Sequence, residues 1–188
     1  MNALANDVEA FFANTSSCAH VVHLYEKDDV FLDTLEGFTS GGLRAGEVVV
    51  LIATTAHLFA LEYRLRKNGG WDVADLRQRG QYVAISASEA LAGFMRDGRV
   101  DESRFNETVV AAIEAAQAGG RRVRAFGEMV ALLWTSGDRH ATRRLEELWN
   151  SVCRDRKLSL LCAYPRQQPD SDPAMLEICA LHSRVFTT

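Results

Sequence analysis

The sequence predicts a three-layer α/β domain, a mostly parallel sheet of about five strands with helices on both faces. Three observations predict it. Short β-rich runs alternate with longer stretches at helical spacing, the pattern of strands joined by helical crossovers. The run Val48 to Ala53 is apolar at every position, as a central parallel strand covered on both faces must be. Three Gly-Gly pairs, Gly41-Gly42, Gly69-Gly70 and Gly119-Gly120, each follow a helical stretch. Glycine tolerates the left-handed conformation that closes a helix, so these pairs read as punctuation.

The elements follow in order. His20 to Tyr25 is the first strand. A helix over Asp28 to Ser40 puts Phe31, Leu35 and Phe38 on one face, with Asp28 as its cap. The strand Glu47 to Thr54 leads to a helix over His57 to Asn68 carrying Leu58, Leu61 and Leu65. A short helix, Asp72 to Arg79, precedes the strand Gln81 to Ser86. The next helix opens with Ser86 to Glu89, which has the spacing of a capping box. Asp101 starts a helix through Phe105, Val109, Ile113 and Ala116. The fourth strand is Arg122 to Phe126, and helical sequence runs from Glu128 through Trp134. The stretch His140 to Arg154 turns Leu145, Leu148, Trp149 and Val152 inward. The fifth strand, Leu158 to Tyr164, ends at Pro165. A loop with Pro169 and Pro173 leads to a last helix, Ala174 to His182.

With 188 residues, the chain suits one domain, with residues 1–18 as an extension and 166–188 as a closing loop and helix. Hydrophobic content of 47% and charge of 24% are globular values. The net charge of -4 argues against direct nucleic-acid binding, which needs a basic stripe. Met1 to Asn14 carries Asp7 and Glu9 and no basic region, unlike a signal peptide. No apolar run reaches membrane-spanning length. The four cysteines form no CxxC pair, and reduced thiols in the cytoplasm are expected.

The segment from Gly42-Leu-Arg-Ala-Gly46 into Val48 to Ala53 resembles the entry to the nucleotide-binding core of RecA/KaiC-like ATPases. There a phosphate loop follows the strand. Here the loop has shrunk to Thr54-Thr55-Ala56-His57, with no glycine to wrap phosphates and no lysine to reach them. The phosphate loop is lost, and nucleotide hydrolysis is not expected. Thr55 is read either as a helix cap or as a weak anion contact.

Longer strings carry a second resemblance: His23-Leu24-Tyr25-Glu26-Lys27-Asp28, Gly80-Gln81-Tyr82, Val123 to Val130 with Leu133-Trp134, Leu148-Trp149-Asn150, and Leu160 to Pro165 with the closing Ile178-Cys179 and His182-Ser183. In this order they resemble the MEDS domains, sensory domains of methanogen and methylotroph signalling proteins. The resemblance runs from about His20 to Arg184. It implies binding of a small organic ligand, with hydrocarbon derivatives as the suggested class. It also implies output to a histidine kinase or a DNA-binding regulator. No output domain is recognised, so action in trans on a separate signalling protein is expected; a homodimer is left open.

Ligands of open parallel sheets sit beyond the carboxyl ends of the strands. Those ends, with one strand residue, give the candidates Tyr25, Glu26, Thr54, Thr55, His57, Arg124, Phe126, Glu128 and Tyr164. Glu128 is either a carboxylate on a helix dipole or a ligand-orienting acid. His57 is either a packing residue or a pocket residue. Arg124, within a strand, needs an acid, and Glu26 or Glu128 is the expected partner. Trp134, Trp149 and Phe94 read as core. Cys18, His20 and His23 have metal-ligand types, but alternation puts His20 and His23 on opposite faces. Neither a metal nor a cofactor is expected, and Cys162 reads as a buried strand residue. Three functions remain: a binding and signalling module, an enzyme using Glu128 and His57 as acid and base, and a ligand-free interaction subunit.

Overall fold

A parallel strand covered on both sides needs unbroken apolar sequence. Strands β1 (Ala19–Tyr25), β2 (Val48–Ala53) and β6 (Val123–Gly127) are accordingly buried at every position. The computed structural model describes residues 10–12, 18–166 and 172–188; most of the N-terminal extension and the loop around Pro169 lie outside them. With β3 (Tyr82–Ser86), β7 (Ser159–Pro165) and β8 (Arg184–Thr187), the main sheet has six strands in the order β3-β2-β6-β7-β1-β8, and every pair is parallel. This is the three-layer α/β class, consistent with a RecA-like arrangement.

Alternation along the strands divides the core in two. Val21, Val49, Leu51, Phe126 and Leu161 face helices α1 (Asp28–Arg44), α2 (Thr55–Gly69) and α3 (Val73–Gln78). Val22, Val50, Ala125, Leu160 and Cys162 face the other layer. That layer holds α4 (Ala87–Phe94), α5 (Glu102–Phe105), α6 (Ala111–Gln117), α7 (Met129–Thr135), α8 (Arg139–Arg156) and α9 (Pro173–Ala180). Trp149, Trp134 and Phe94 are core residues, each at most 2% exposed. One turn of π-helix, Asn106–Val110, joins α5 to α6.

Several elements differ from expectation for identifiable reasons. The sixth strand, β8, pairs with β1 through Val21↔Arg184 to Leu24↔Thr187. Its four residues bury only Phe186, too short a pattern to mark a strand. Strands β4 (Met95–Arg96) and β5 (Arg99–Val100) form a two-stranded antiparallel ribbon. Its turn residues, Asp97 and Gly98, both have positive φ, the requirement of a type I′ turn.

Gly41 and Gly42 do not end α1; the helix runs through them to Arg44. Gly42 is a close-approach residue, since a Cβ there would lie 3.0 Å from Val49 Cγ2 and 3.1 Å from Arg124 Cδ. By contrast, Gly70 closes α2 in the left-handed conformation, as read. Asp28 is the first helical residue of α1 and not its cap. The cap position is Lys27, without a side-chain hydrogen bond, and Asp28 favours the helix start through its charge.

Candidate functional site

The sheet order creates a crevice. From β2 the chain goes to β3 on one side, then returns past β2 to β6 on its other side. The helix after β2 covers one face and the helix after β6 covers the opposite face. The carboxyl ends of β2 and β6 therefore flank a topological switch point, where open α/β sheets take ligands.

Glu128 closes this point. It follows β6 directly, and its backbone N–H donates to the Ile52 carbonyl at 2.8 Å. Its carboxylate reaches back across the crevice. Oε2 accepts the Thr54 backbone N–H at 2.7 Å, and Oε1 accepts the His57 Nδ1–H at 2.7 Å. The Thr54 hydroxyl accepts the His57 backbone N–H at 3.3 Å, which makes Thr54 the cap of α2. The cap is thus one residue earlier than the Thr55 of the sequence reading; Thr55 is the exposed first residue of the helix. The carboxylate sits at the amino end of α2, where the helix dipole favours negative charge.

Electrostatics follow from this geometry. The hydrogen bond to Glu128 raises the His57 pKa; burial opposes it, and the charges of Glu128 and Asp28 add to it. Among the described residues only Nδ1 of the ring is bonded, which leaves Nε2 for a ligand. An aromatic group lies beneath. Tyr25 stacks on Phe31 at 4.7 Å between centroids, and Phe31 meets His57 edge-on at 4.9 Å and Phe126 at 5.7 Å. Burial pushes the Tyr25 phenol up, and the charges of Glu128 and Asp28 push it further. The sequence places Phe31 on the apolar face of a helix and not in the site. Its position in the first turn of α1, just past the Tyr25-Glu26 turn, was the available signal.

Five candidates therefore meet: Tyr25, Thr54, His57, Phe126 and Glu128. Glu26 is exposed and pairs with Arg166 at 3.2 Å. Arg124 lies toward the amino end of β6, and its partner is neither Glu26 nor Glu128. It donates to Glu47 Oε2 at 2.7 Å and to the Phe38 carbonyl at 3.0 Å. The register explains the choice. Val49 is opposite Arg124, so Glu47, two residues earlier, projects from the same face. Tyr164 points into the other layer and donates to Glu146. His20 and His23 do face opposite ways: His20 bonds Asn150 of α8, and His23 bonds Thr188. A separate cleft of about 370 Å³ lies between α5 and α8, lined by residues that include Glu102, Glu114, Asp155 and Arg156.

No described helix is long and apolar enough to cross a membrane. No curated protein matches the chain. A family model described as MEDS, the methanogen/methylotroph, DcmR sensory domain, matches residues 19–183. That span runs from the first residue of β1 past the end of α9, and so includes the crevice and all five residues that meet there. The chain belongs to the MEDS family of sensory domains.

Proposed function

We propose that this sensory domain holds a small organic molecule at the crevice between β2 and β6, and relays its presence to a separate signalling protein such as a histidine kinase or transcription regulator. One observation carries the reading. A buried carboxylate, Glu128, ties the two strand ends together at the switch point, beside a histidine with a free ring nitrogen and over packed aromatic rings. Few polar groups among aromatic side chains suit a small, largely apolar ligand with one or two hydrogen-bonding atoms. A hydrocarbon derivative fits that description. A ligand that competes for His57 or Glu128 changes the tie between the strand ends, which gives binding a structural consequence.

The β2–α2 turn reads in the same proposal as a degenerate phosphate loop. Glu128 places a fixed negative charge at the amino end of α2, where a phosphate would otherwise sit. ATP and GTP hydrolysis are therefore expected to be absent. A magnesium-dependent rate abolished by Thr54→Ala would contradict this. The same residues do not favour an enzyme: both oxygens of Glu128 and Nδ1 of His57 are engaged with each other and with the Thr54 backbone, and among the described residues no hydroxyl or thiol bonds the other ring nitrogen.

Native mass spectrometry of gently purified protein should find a bound small molecule. Calorimetry with that molecule should show Glu128→Gln and His57→Ala weakening binding by about 1–3 kcal/mol, the range for a buried polar group deprived of its partner. Wild-type affinity in both variants places the site elsewhere. No copurifying molecule, and no heat from any of a panel of small alcohols, amines and halocarbons, counts against the ligand itself.

A further inference from the structure

The layer opposite the crevice contains a second polar cluster, fully enclosed. His20 from β1, Cys162 from β7, Glu146 from α8 and His182 from the turn after α9 bring one ligand atom each to a common centre, all within 4.8 Å of one another. We propose that these four residues form a closed, tetrahedral zinc(II) site that fastens the C-terminal segment to the sheet.

Four of the six distances between ligand atoms lie close to what the chemistry needs. Zinc bonds of ~2.0–2.3 Å at tetrahedral angles place neighbouring ligand atoms roughly 3.3–3.6 Å apart. His20 Nε2 lies 3.2 Å from Glu146 Oε2 and 3.3 Å from Cys162 Sγ. Cys162 Sγ lies 3.7 Å from Glu146 Oε2, and His182 Nε2 lies 3.5 Å from the same oxygen.

The surrounding residues orient each ligand. Asn150 Nδ2 donates to the Leu181 carbonyl, so its Oδ1 is an acceptor and His20 Nδ1–H donates to it at 3.0 Å. His182 Nδ1–H donates to the Ile178 carbonyl at 2.8 Å. Both rings therefore turn Nε2 towards the centre. The Tyr164 hydroxyl donates to Glu146 Oε1 and leaves Oε2 for the centre. Metal-bound histidines and carboxylates carry such outer partners as a rule.

A further sign is that His182 Nε2, on a side chain with no exposed surface, makes no well-formed hydrogen bond among the described residues and has only the Glu146 carboxylate, at 3.5 Å, beside it. A buried polar atom of this kind calls for an explanation, and a metal supplies one. The charge also closes. When zinc(II) binds, Cys162 gives up its thiol proton to solvent, and one thiolate and one carboxylate balance the dication.

The place in the fold gives the site a purpose. Helix α9 buries only Ile178 of its eight residues, a weak apolar anchor. His182 follows it directly and leads into β8, so a bond from His182 to the sheet holds both. Sequence could not gather this set, because its members come from four elements, 126 residues apart from His20 to Glu146 and further to His182.

The test uses the full chain, stripped with a chelator and shown to be folded by circular dichroism. Zinc(II) titration should give one tight equivalent and raise the melting temperature. Cobalt(II) should give visible bands of tetrahedral intensity and a near-ultraviolet sulfur-to-cobalt charge-transfer band. Cys162→Ser should lose the charge-transfer band and Cys18→Ser should keep it. Tyr164→Phe, which removes no ligand, should weaken zinc about 10–100-fold, the usual cost of losing an outer-shell partner. Folded wild-type protein that takes up no zinc overturns the proposal, as does a charge-transfer band that survives Cys162→Ser.

Discussion

His57 depends on the charge of Glu128, and the dependence can be measured. The His57 pKa is raised chiefly by its hydrogen bond to Glu128. Nuclear magnetic resonance titration should find it above the ordinary histidine value, and Glu128→Gln should lower it. A raised pKa means that the folded state holds the proton more tightly than the unfolded one. The stabilisation is therefore complete below the unfolded histidine value and is lost as pH rises through the folded value. Urea denaturation at several pH values should show this loss in wild type and not in Glu128→Gln. A different carboxylate, Glu47, supports Arg124. Glu47→Ala removes the carboxylate that a guanidinium only 2% exposed donates to. The cost should be about 3–5 kcal/mol in the same assay, and a loss under 1 kcal/mol would contradict the pairing. The need of Arg124 for an acid was legible in the sequence, because a strand arginine flanked by apolar residues cannot stay unpaired. Which acid was not legible, since it depends on the β2–β6 register.

At the scale of elements, the long strands and most helices between Ala19 and Pro165 were legible because their apolar spacing is regular, whereas the Met95–Val100 ribbon and the π-helical turn were not. The differences arise where a local signal had two physical meanings. Glycine pairs close helices, and they also allow close packing. Gly70 does the first, while Gly42 does the second, against Val49 and Arg124. Gly42→Val should therefore destabilise by about 1–3 kcal/mol through overpacking, seen as a lowered melting temperature. An unchanged or raised value would mean that the helix ends there after all. Thr54 and Thr55 are both capping residues by type, and only the backbone at the β2 end decides between them. Of the candidate site, the strand-end residues on the α1–α2 face were legible as a group. Arg124 and Tyr164 were not separable from them, because which end of a strand and which face a side chain occupies depend on its exact bounds.

At the scale of the molecule, two buried polar centres lie on opposite faces of one sheet, and β1 serves both faces. His23, on the crevice side of β1, has no exposed surface. Its Nε2 bonds the Thr188 hydroxyl, and the Tyr25 ring lies 5.9 Å away. Burial lowers its pKa from 6.5 to about 4. The unfolded chain therefore binds a proton that the native one refuses. Stability is complete above pH 6.5 and falls as pH drops towards 4, by about 3 kcal/mol in all. His23→Gln should flatten that acid-side decline, and an equally steep decline in the variant would contradict it.

The central claim is that the ligand enters the crevice between β2 and β6. Chemical-shift mapping on ¹⁵N-labelled protein tests it most directly, with the small molecule released from the gently purified chain as the titrant. The account predicts that the largest shifts fall on the amides of Thr54, His57, Gly127 and Glu128, with smaller ones at Tyr25 and Phe31. Shifts gathered instead around Glu102, Glu114 and Arg156, in the cleft between α5 and α8, would contradict it.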